Sequence, residues 1–469
     1  MKSKLASSAV MALLALAGCG NNGSGGKPPT GGTTSTGGQS KAGGGSGGSS
    51  GSGGIGGTSS LGGTTGQGGT TGQGGTTASG GASGSGGTST AGGTVASGGR
   101  TRSGGTGAAG TSGGAGGGGN NRPDAAAGGQ TGGSSGYGGT AGPGGTTGAA
   151  GPCDIYQSAS TPCVAAHSTV RALYGAYNGN LYQVRRASDK TTKEVAVLSA
   201  GGYANSATQD SFCSGTTCTI SIIYDQSPNG NHLSKAPPGG WLNNGGLEAD
   251  ASKAKIKLNG NTVYGVYTTS NFDNDVGAVG YRNNKTKGVA TVDQPESMYM
   301  VASGKHYNQW CCFDYGNAET NNKDNGPATM ETVYFGNSTQ WGKGSGTGPW
   351  VMADLEDGVF AGGSTDAAAT NTALIADYVT AMLKGPSGNR FVLKGGNAQS
   401  GSLATKYDGT RPARYSPQKK EGAIILGIGG DNSHTGEGTF FEGCITSGNP
   451  PDTADDAVQA NIVAAGYGR

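Results

Sequence analysis

The sequence predicts an all-β sandwich or barrel over residues 151–469, and three observations carry the prediction. Short runs of β-branched and aromatic residues alternate with Gly, Asn, Asp and Pro. No long stretch of helical period occurs before the end of the chain, so the helices that a parallel α/β fold needs between its strands are missing. Core-forming residues are confined to this part: of all Phe, Trp and Tyr residues, only Tyr137 precedes residue 151.

Taken in order, the expected strands are 219–224 (TISIIY), 297–302 (SMYMVA), 331–335 (ETVYF), 350–355 (WVMADL) and 423–428 (AIILGI), followed by one helix at 456–467 (DAVQANIVAAGY). GIGG at 427–430 leaves a strand but opens no helix, so it is not a nucleotide loop.

The run WVMADLEDG at 350–358 is the most informative. Side chains alternate along a strand, which puts Trp350, Met352, Asp354 and Glu356 on one face and Val351, Ala353 and Leu355 on the other. Two acids at i and i+2 repel each other, and a purely structural face has no reason to keep them. Beside an indole they suggest a sugar-binding face; a solvated edge strand with ordinary surface acids is the plain alternative. A further carboxylate, Asp431, follows strand 423–428 behind glycines that allow close backbone approach to a ligand. Two acids on neighbouring strands are what glycoside hydrolysis needs, one to attack the anomeric carbon and one to protonate the leaving oxygen.

Cysteines stand at 19, 153, 163, 213, 218, 311, 312 and 444. Close spacing favours Cys153 with Cys163 and Cys213 with Cys218, although spacing alone does not fix connectivity. Adjacent Cys311 and Cys312 either close a strained ring or remain two thiols with other fates. The four histidines are scattered and no zinc-ligand spacing occurs, so no metal is expected.

Residues 1–150 are a different material, with 57 of the 100 glycines. Lys2 and Lys4 precede an apolar run at 9–17 and then Leu16-Ala17-Gly18-Cys19, the order of an export signal whose end resembles a bacterial lipobox; an ordinary cleaved signal with an incidental cysteine is the plain alternative. The expected organisation is a lipoprotein signal peptide at 1–18, a disordered Gly/Ser/Thr tether at 19–150 with a lipid on Cys19, and a folded domain at 151–469. A flexible coil of ~130 residues has an end-to-end distance of about 60–70 Å. The lipid implies export and a membrane surface, at the cell surface or in the periplasm, with release from it as an option. Residues 151–469 carry 24 basic and 28 acidic side chains, which is not a nucleic-acid-binding balance.

From Pro152 onward the chain closely resembles glycoside hydrolase family 54, the α-L-arabinofuranosidases best known from filamentous fungi. The resemblance is carried by PCDIY at 152–156, TPCVAAHSTVRALY at 161–174, IIYDQSPNGNHL at 222–233, APPGG at 236–240, CCFDYGNAET at 311–320, FGNSTQWG at 335–342, GPWVMADLE at 348–356 and KEGAIILGIGGDNS at 420–433. It implies a concanavalin-like β-sandwich (jelly roll) that removes terminal α-L-arabinofuranosyl groups with retention and without a cofactor. Carried over residue by residue, it makes Glu356 the nucleophile and Asp431 the general acid/base. Asp354, Gly430 and Trp341 then contact the sugar. It also implies a vicinal Cys311–Cys312 disulfide in the sugar-binding surface, disulfides Cys153–Cys163 and Cys213–Cys218, and a free Cys444. The substrate partner becomes an arabinose-containing plant polysaccharide or oligosaccharide, acted on by a monomer.

Two departures stand out. Fungal members have Asn-Asn where this chain has Asp357-Gly358, which alters contacts to sugar hydroxyls and puts an added acid where it can raise the Glu356 pKa. They also carry a C-terminal β-trefoil that binds arabinofuranosyl side chains, which is expected to be absent from a chain ending at Arg469. The rival reading is a tethered lectin that has kept the sandwich and lost the chemistry.

Overall fold

In the computed structural model the alternation of the sequence builds two large antiparallel sheets, within the described residues 149–273 and 276–469. The expected signal peptide, Cys19 and the tether as far as residue 148 lie outside those residues.

One sheet has eight strands. From edge to edge it runs Ala404–Gly409, Phe391–Asn397, Tyr378–Gly385, Glu296–Tyr307, Gly438–Ser447, Asn261–Thr268 and Ala254–Leu258, and Cys163–Ser168 also pairs with Gly438–Ser447. The other has eleven, in the order Val359–Phe360, Trp350–Asp354, Glu331–Gly336, Asp314–Ala318, Ala423–Leu426, Tyr281–Asn283, Leu233–Lys235, Cys218–Ile223, Asn180–Arg186 and Thr192–Ala196, with Ala249–Asp250 beside Cys218–Ile223. Val333, Phe335, Val351 and Ala353 from this sheet join Met298, Ala381, Leu383 and Leu393 from the first in one buried core. Burial of that apolar surface is the main force holding the sandwich together.

The predicted face assignment on strand Trp350–Asp354 holds: Val351, Ala353 and Leu355 enter the main core, while Trp350 and Met352 point the other way. Two expectations need correction. Glu356 is not on the strand, which ends at Asp354; Glu356 and Asp357 form the left-handed turn into Val359–Phe360, with φ of 63° and 56°. Trp350 does not meet solvent, because the Cys311-Cys312 segment and Trp341 cover it and its indole N–H donates to the Ser345 carbonyl at 3.0 Å.

The terminal helix is Asp452–Ala464, four residues earlier at its start than expected. Pro451 fixes the entry backbone, and Asp452 and Asp455 complement the helix N-terminus. Lys384 and Lys394 hold Asp455 at 2.7 and 2.8 Å. A Cβ on Gly395 would touch Val351 across the core, so its neighbour Lys394 points outward and the helix lies on the outer face of the eight-stranded sheet. On that helix Asn461 donates to the Ala150 carbonyl at 2.7 Å. Two seven-residue helices, Pro152–Ser158 and Ser206–Phe212, were not expected; disulfides Cys153–Cys163 and Cys213–Cys218 tie each to a strand. Cys444 is a buried free thiol.

Candidate active site

The outer face of the eleven-stranded sheet gathers five buried acids: Asp314, Glu319, Asp354, Glu356 and Asp431. Register explains three of them. Strand Glu331–Gly336 pairs Thr332 with Asp354 and Tyr334 with Asp314, which brings the ends of two acid-bearing strands together. Glu319 follows the strand Asp314–Ala318 directly. Asp431 comes from the loop after Ala423–Leu426, where Gly427 (φ 78°) ends the strand that the sequence extends to residue 428.

Asp354 links the site. Its Oδ1 accepts the Glu356 backbone N–H at 3.2 Å, which fixes the left-handed turn. Its Oδ2 lies 3.0 Å from Cys312 Sγ and 3.6 Å from Cys311 Sγ. Cys311 and Cys312 are bonded to each other across a cis peptide and pack with Tyr334, Trp350 and Met352 against Trp341. Their loop is held by Thr435, whose N–H and hydroxyl both donate to the Cys311 carbonyl at 3.0 and 2.7 Å. The result is an apolar wall beside carboxyl groups.

Asp431 Oδ1 accepts the Ser433 N–H at 2.8 Å, while its buried Oδ2 meets no donor among the described residues. The APPGG segment closes over this loop: Trp241 N–H donates to the Asp431 carbonyl at 3.0 Å, and a Cβ on Gly240 would crowd the same oxygen. At Gly430 a Cβ would collide with the Glu319 carboxyl and stand 2.6 Å from Glu356 Oε2, so only glycine lets the Asp431 loop pass this close to Glu356.

Burial and crowding shift these acids upward. Asp431 rises to about 6, through burial against the counteracting Ser433 hydrogen bonds. Glu319 and Asp354 each rise to about 7, first through burial. Glu356 is raised by burial and then by Glu319, Asp431 and Asp354. The half-buried Asp357 is itself raised by burial and by Asp324, with Arg414 acting against them. Arg282 is the balancing cation, brought down by burial to about 10 and still charged at neutral pH.

Every residue expected from sequence at the site falls in this region, with Asp357 and Gly358 in the turn beyond Glu356. Sequence reasoning missed Glu319, Asp314 and Arg282. Asp314 opens the buried strand after Cys311-Cys312 and Glu319 follows its last residue, and two acids at the ends of one short run were the available signal.

An antiparallel sandwich with paired buried acids beside an apolar wall is an architecture suited to carboxylate-based glycoside hydrolysis. Residues 152–468 match the family described as "Alpha-L-arabinofuranosidase B, catalytic". The chain belongs to that family, glycoside hydrolase family 54. It is 56% identical over 324 residues to the probable α-L-arabinofuranosidase B of Aspergillus fumigatus, covering 68% of this chain and 62% of the relative. It is 55% identical over 325 residues to the α-L-arabinofuranosidase B of Emericella nidulans, with the same coverage. This chain therefore spans about 62% of the length of these relatives. A solved family 54 α-L-arabinofuranosidase soaked with a cyclic sulfate inhibitor aligns with a TM-score of 0.65 at 51% identity, covering 68% of this chain and 66% of its own. An arabinofuranosidase complexed with arabinofuranosyl-α-1,2-xylobiose aligns with a TM-score of 0.64 at 50% identity, covering 68% and 65%.

Proposed function

We propose that this protein is a retaining, exo-acting α-L-arabinofuranosidase that releases terminal α-L-arabinofuranosyl residues from arabinoxylan, arabinan or related oligosaccharides. The observation that carries the reading is that side-chain-free Gly430 lets the loop bearing buried Asp431 pass against the carboxyl of buried Glu356, which feels the Asp431 charge. The solved relative holding arabinofuranosyl-α-1,2-xylobiose supports a xylan-borne arabinose as one substrate.

The reaction is a double displacement. Ionised Glu356 attacks the anomeric carbon while Asp431, protonated below about pH 6, gives its proton to the leaving oxygen. Asp431 then takes a proton from the water that breaks the arabinosyl ester. Asp354 holds the Glu356 turn. Cys311, Cys312 and Trp341 offer the apolar wall for the ring, and Asp357 and Gly358 flank the rim. The carbohydrate is the partner, the protein works as a monomer, and the chemistry calls for no cofactor.

The sandwich at 151–469 is held through the tether at 19–150 by a lipid on Cys19, after removal of residues 1–18. Among the described residues no helix is long and apolar enough to cross a membrane. Cys19→Ala should move the protein from the membrane fraction to the soluble one; continued sedimentation with membranes would sink the anchor. Activity is tested with an aryl α-L-arabinofuranoside and magnetic resonance of the first-formed anomer, then with arabinoxylan, arabinan and arabino-oligosaccharides. Absence of turnover, or inverted product, overturns the reading.

A further inference from the structure

Glu319 is fully buried, and its Oε1 accepts a 2.6 Å hydrogen bond from the Thr329 hydroxyl. Its Oε2 is also buried, and no N–H or hydroxyl among the described residues reaches it. What meets it is the Glu356 carboxyl. Gly430 fixes the place: the position a Cβ would take there lies against Glu319 Oε2 and 2.6 Å from Glu356 Oε2, so both oxygens converge on one point under the Asp431 loop. Two bare carboxylate oxygens in a dry site repel, whereas one proton between them makes a strong charge-assisted hydrogen bond.

The charges around the pair decide where that proton can go. Asp431 and Asp354 both act on Glu356, Asp354 is itself bonded to Asp314, and Asp324 adds its charge at Asp431. Arg282 supplies positive charge, but its N–H groups serve the Gly430 carbonyl at 2.7 Å, Asn432 at 3.0 Å, Asn284 at 2.6 Å and the Glu319 main-chain carbonyl. None is directed to Glu319 Oε2. Releasing the proton to solvent would add a negative charge to an already acidic site. Passing it within the pair leaves the net charge unchanged.

We propose that Glu319 is a positioning residue that holds the shared proton of the Glu319–Glu356 pair while Glu356 reacts. The inference rests on the reading of Glu356 as nucleophile. The O–H bond at Glu356 breaks and its electron pair stays there, making the attacking carboxylate; a new O–H bond forms at Glu319 Oε2. That hydroxyl donates back to Glu356, first to the carboxylate and then to the carbonyl oxygen of the arabinosyl ester. When water breaks the ester, the charge returns to Glu356 against the same donor. No proton is gained or lost by the pair over the cycle.

The test uses the full chain with Glu319→Gln, Glu319→Ala and Glu356→Gln. In infrared difference spectra at neutral pH, wild type minus Glu319→Gln should show one protonated-carboxyl band that the variant has lost, and wild type minus Glu356→Gln should show the same one. Glu319→Gln keeps a neutral donor and should hold kcat within about tenfold of wild type, whereas Glu319→Ala should lose roughly a hundredfold or more in kcat with little change in KM, the usual scale for one preorganised donor. A band that survives in both Gln variants overturns the proposal, as does a Glu319→Ala enzyme with wild-type kcat. A wild type without turnover would instead sink the arabinofuranosidase reading, and the infrared comparison would still decide the proton's place.

Discussion

Arg282 donates to the carbonyl oxygen of Gly430 at 2.7 Å, and through it one buried guanidinium holds the loop that carries Asp431. The same side chain reaches Asn432 at 3.0 Å. Arg282→Ala should therefore cost about 3–5 kcal/mol of stability, since it leaves buried acids without their cation and main-chain carbonyls without donors. Denaturant titration measures the loss, and kcat/KM should fall at least a hundredfold in the protein that remains folded. A variant as stable and active as wild type would show that the guanidinium is dispensable.

Glu356→Gln should abolish hydrolysis of an aryl α-L-arabinofuranoside, by about 10⁴-fold or more, because a neutral amide cannot form the glycosyl ester. Circular dichroism and the melting temperature should stay close to wild type. Activity near wild type would remove Glu356 from the mechanism.

Asp431→Ala should distinguish leaving groups. A nitrophenolate departs without a proton and a sugar alkoxide does not, so kcat/KM, which reports the step that expels the leaving group, should fall far more on arabino-oligosaccharides than on the nitrophenyl glycoside. Equal losses on both substrates would mean that Asp431 is not the acid.

The pH profile follows from the same group. Asp431 acts as acid only while protonated, and its pKa is raised to about 6, so kcat/KM should decline as pH climbs through about 6. A rate–pH curve that stays level to pH 8 on an oligosaccharide counts against this assignment.

Stability should move with pH as well. The folded-state pKa of Asp431, about 6, exceeds its ordinary value of 3.8, so its full contribution is present below about pH 4 and is lost as pH rises through about 6. Asp431→Asn does not titrate. Its gain over wild type should be near zero at pH 4 and about 2–3 kcal/mol at pH 7, seen as a rise of a few degrees in Tm. A Tm difference independent of pH would refute the linkage.

The sheets were legible because their signal is local. Period-two alternation placed Val351 and Ala353 inward and Trp350 and Met352 outward, and the structure keeps that division. Glu356 departs from the pattern because a left-handed turn at two non-glycine residues has no local signature; it is held by the Asp354 carboxylate. Glu319 and Arg282 owe their roles to pairing between strands far apart in sequence, which no window along the chain contains. The short helices were hidden for another reason, as seven residues are too few to show a helical period and each relies on a disulfide.

The bond from Asn461 to the Ala150 carbonyl seats the start of the domain on the helix that covers the eight-stranded sheet, whereas the acids lie on the outside of the opposite sheet. A bead, electrode or fusion partner coupled upstream of Ala150 would thus grip the back of the sandwich. Immobilisation from that end should keep the acid-lined face open to bulky branched polymers.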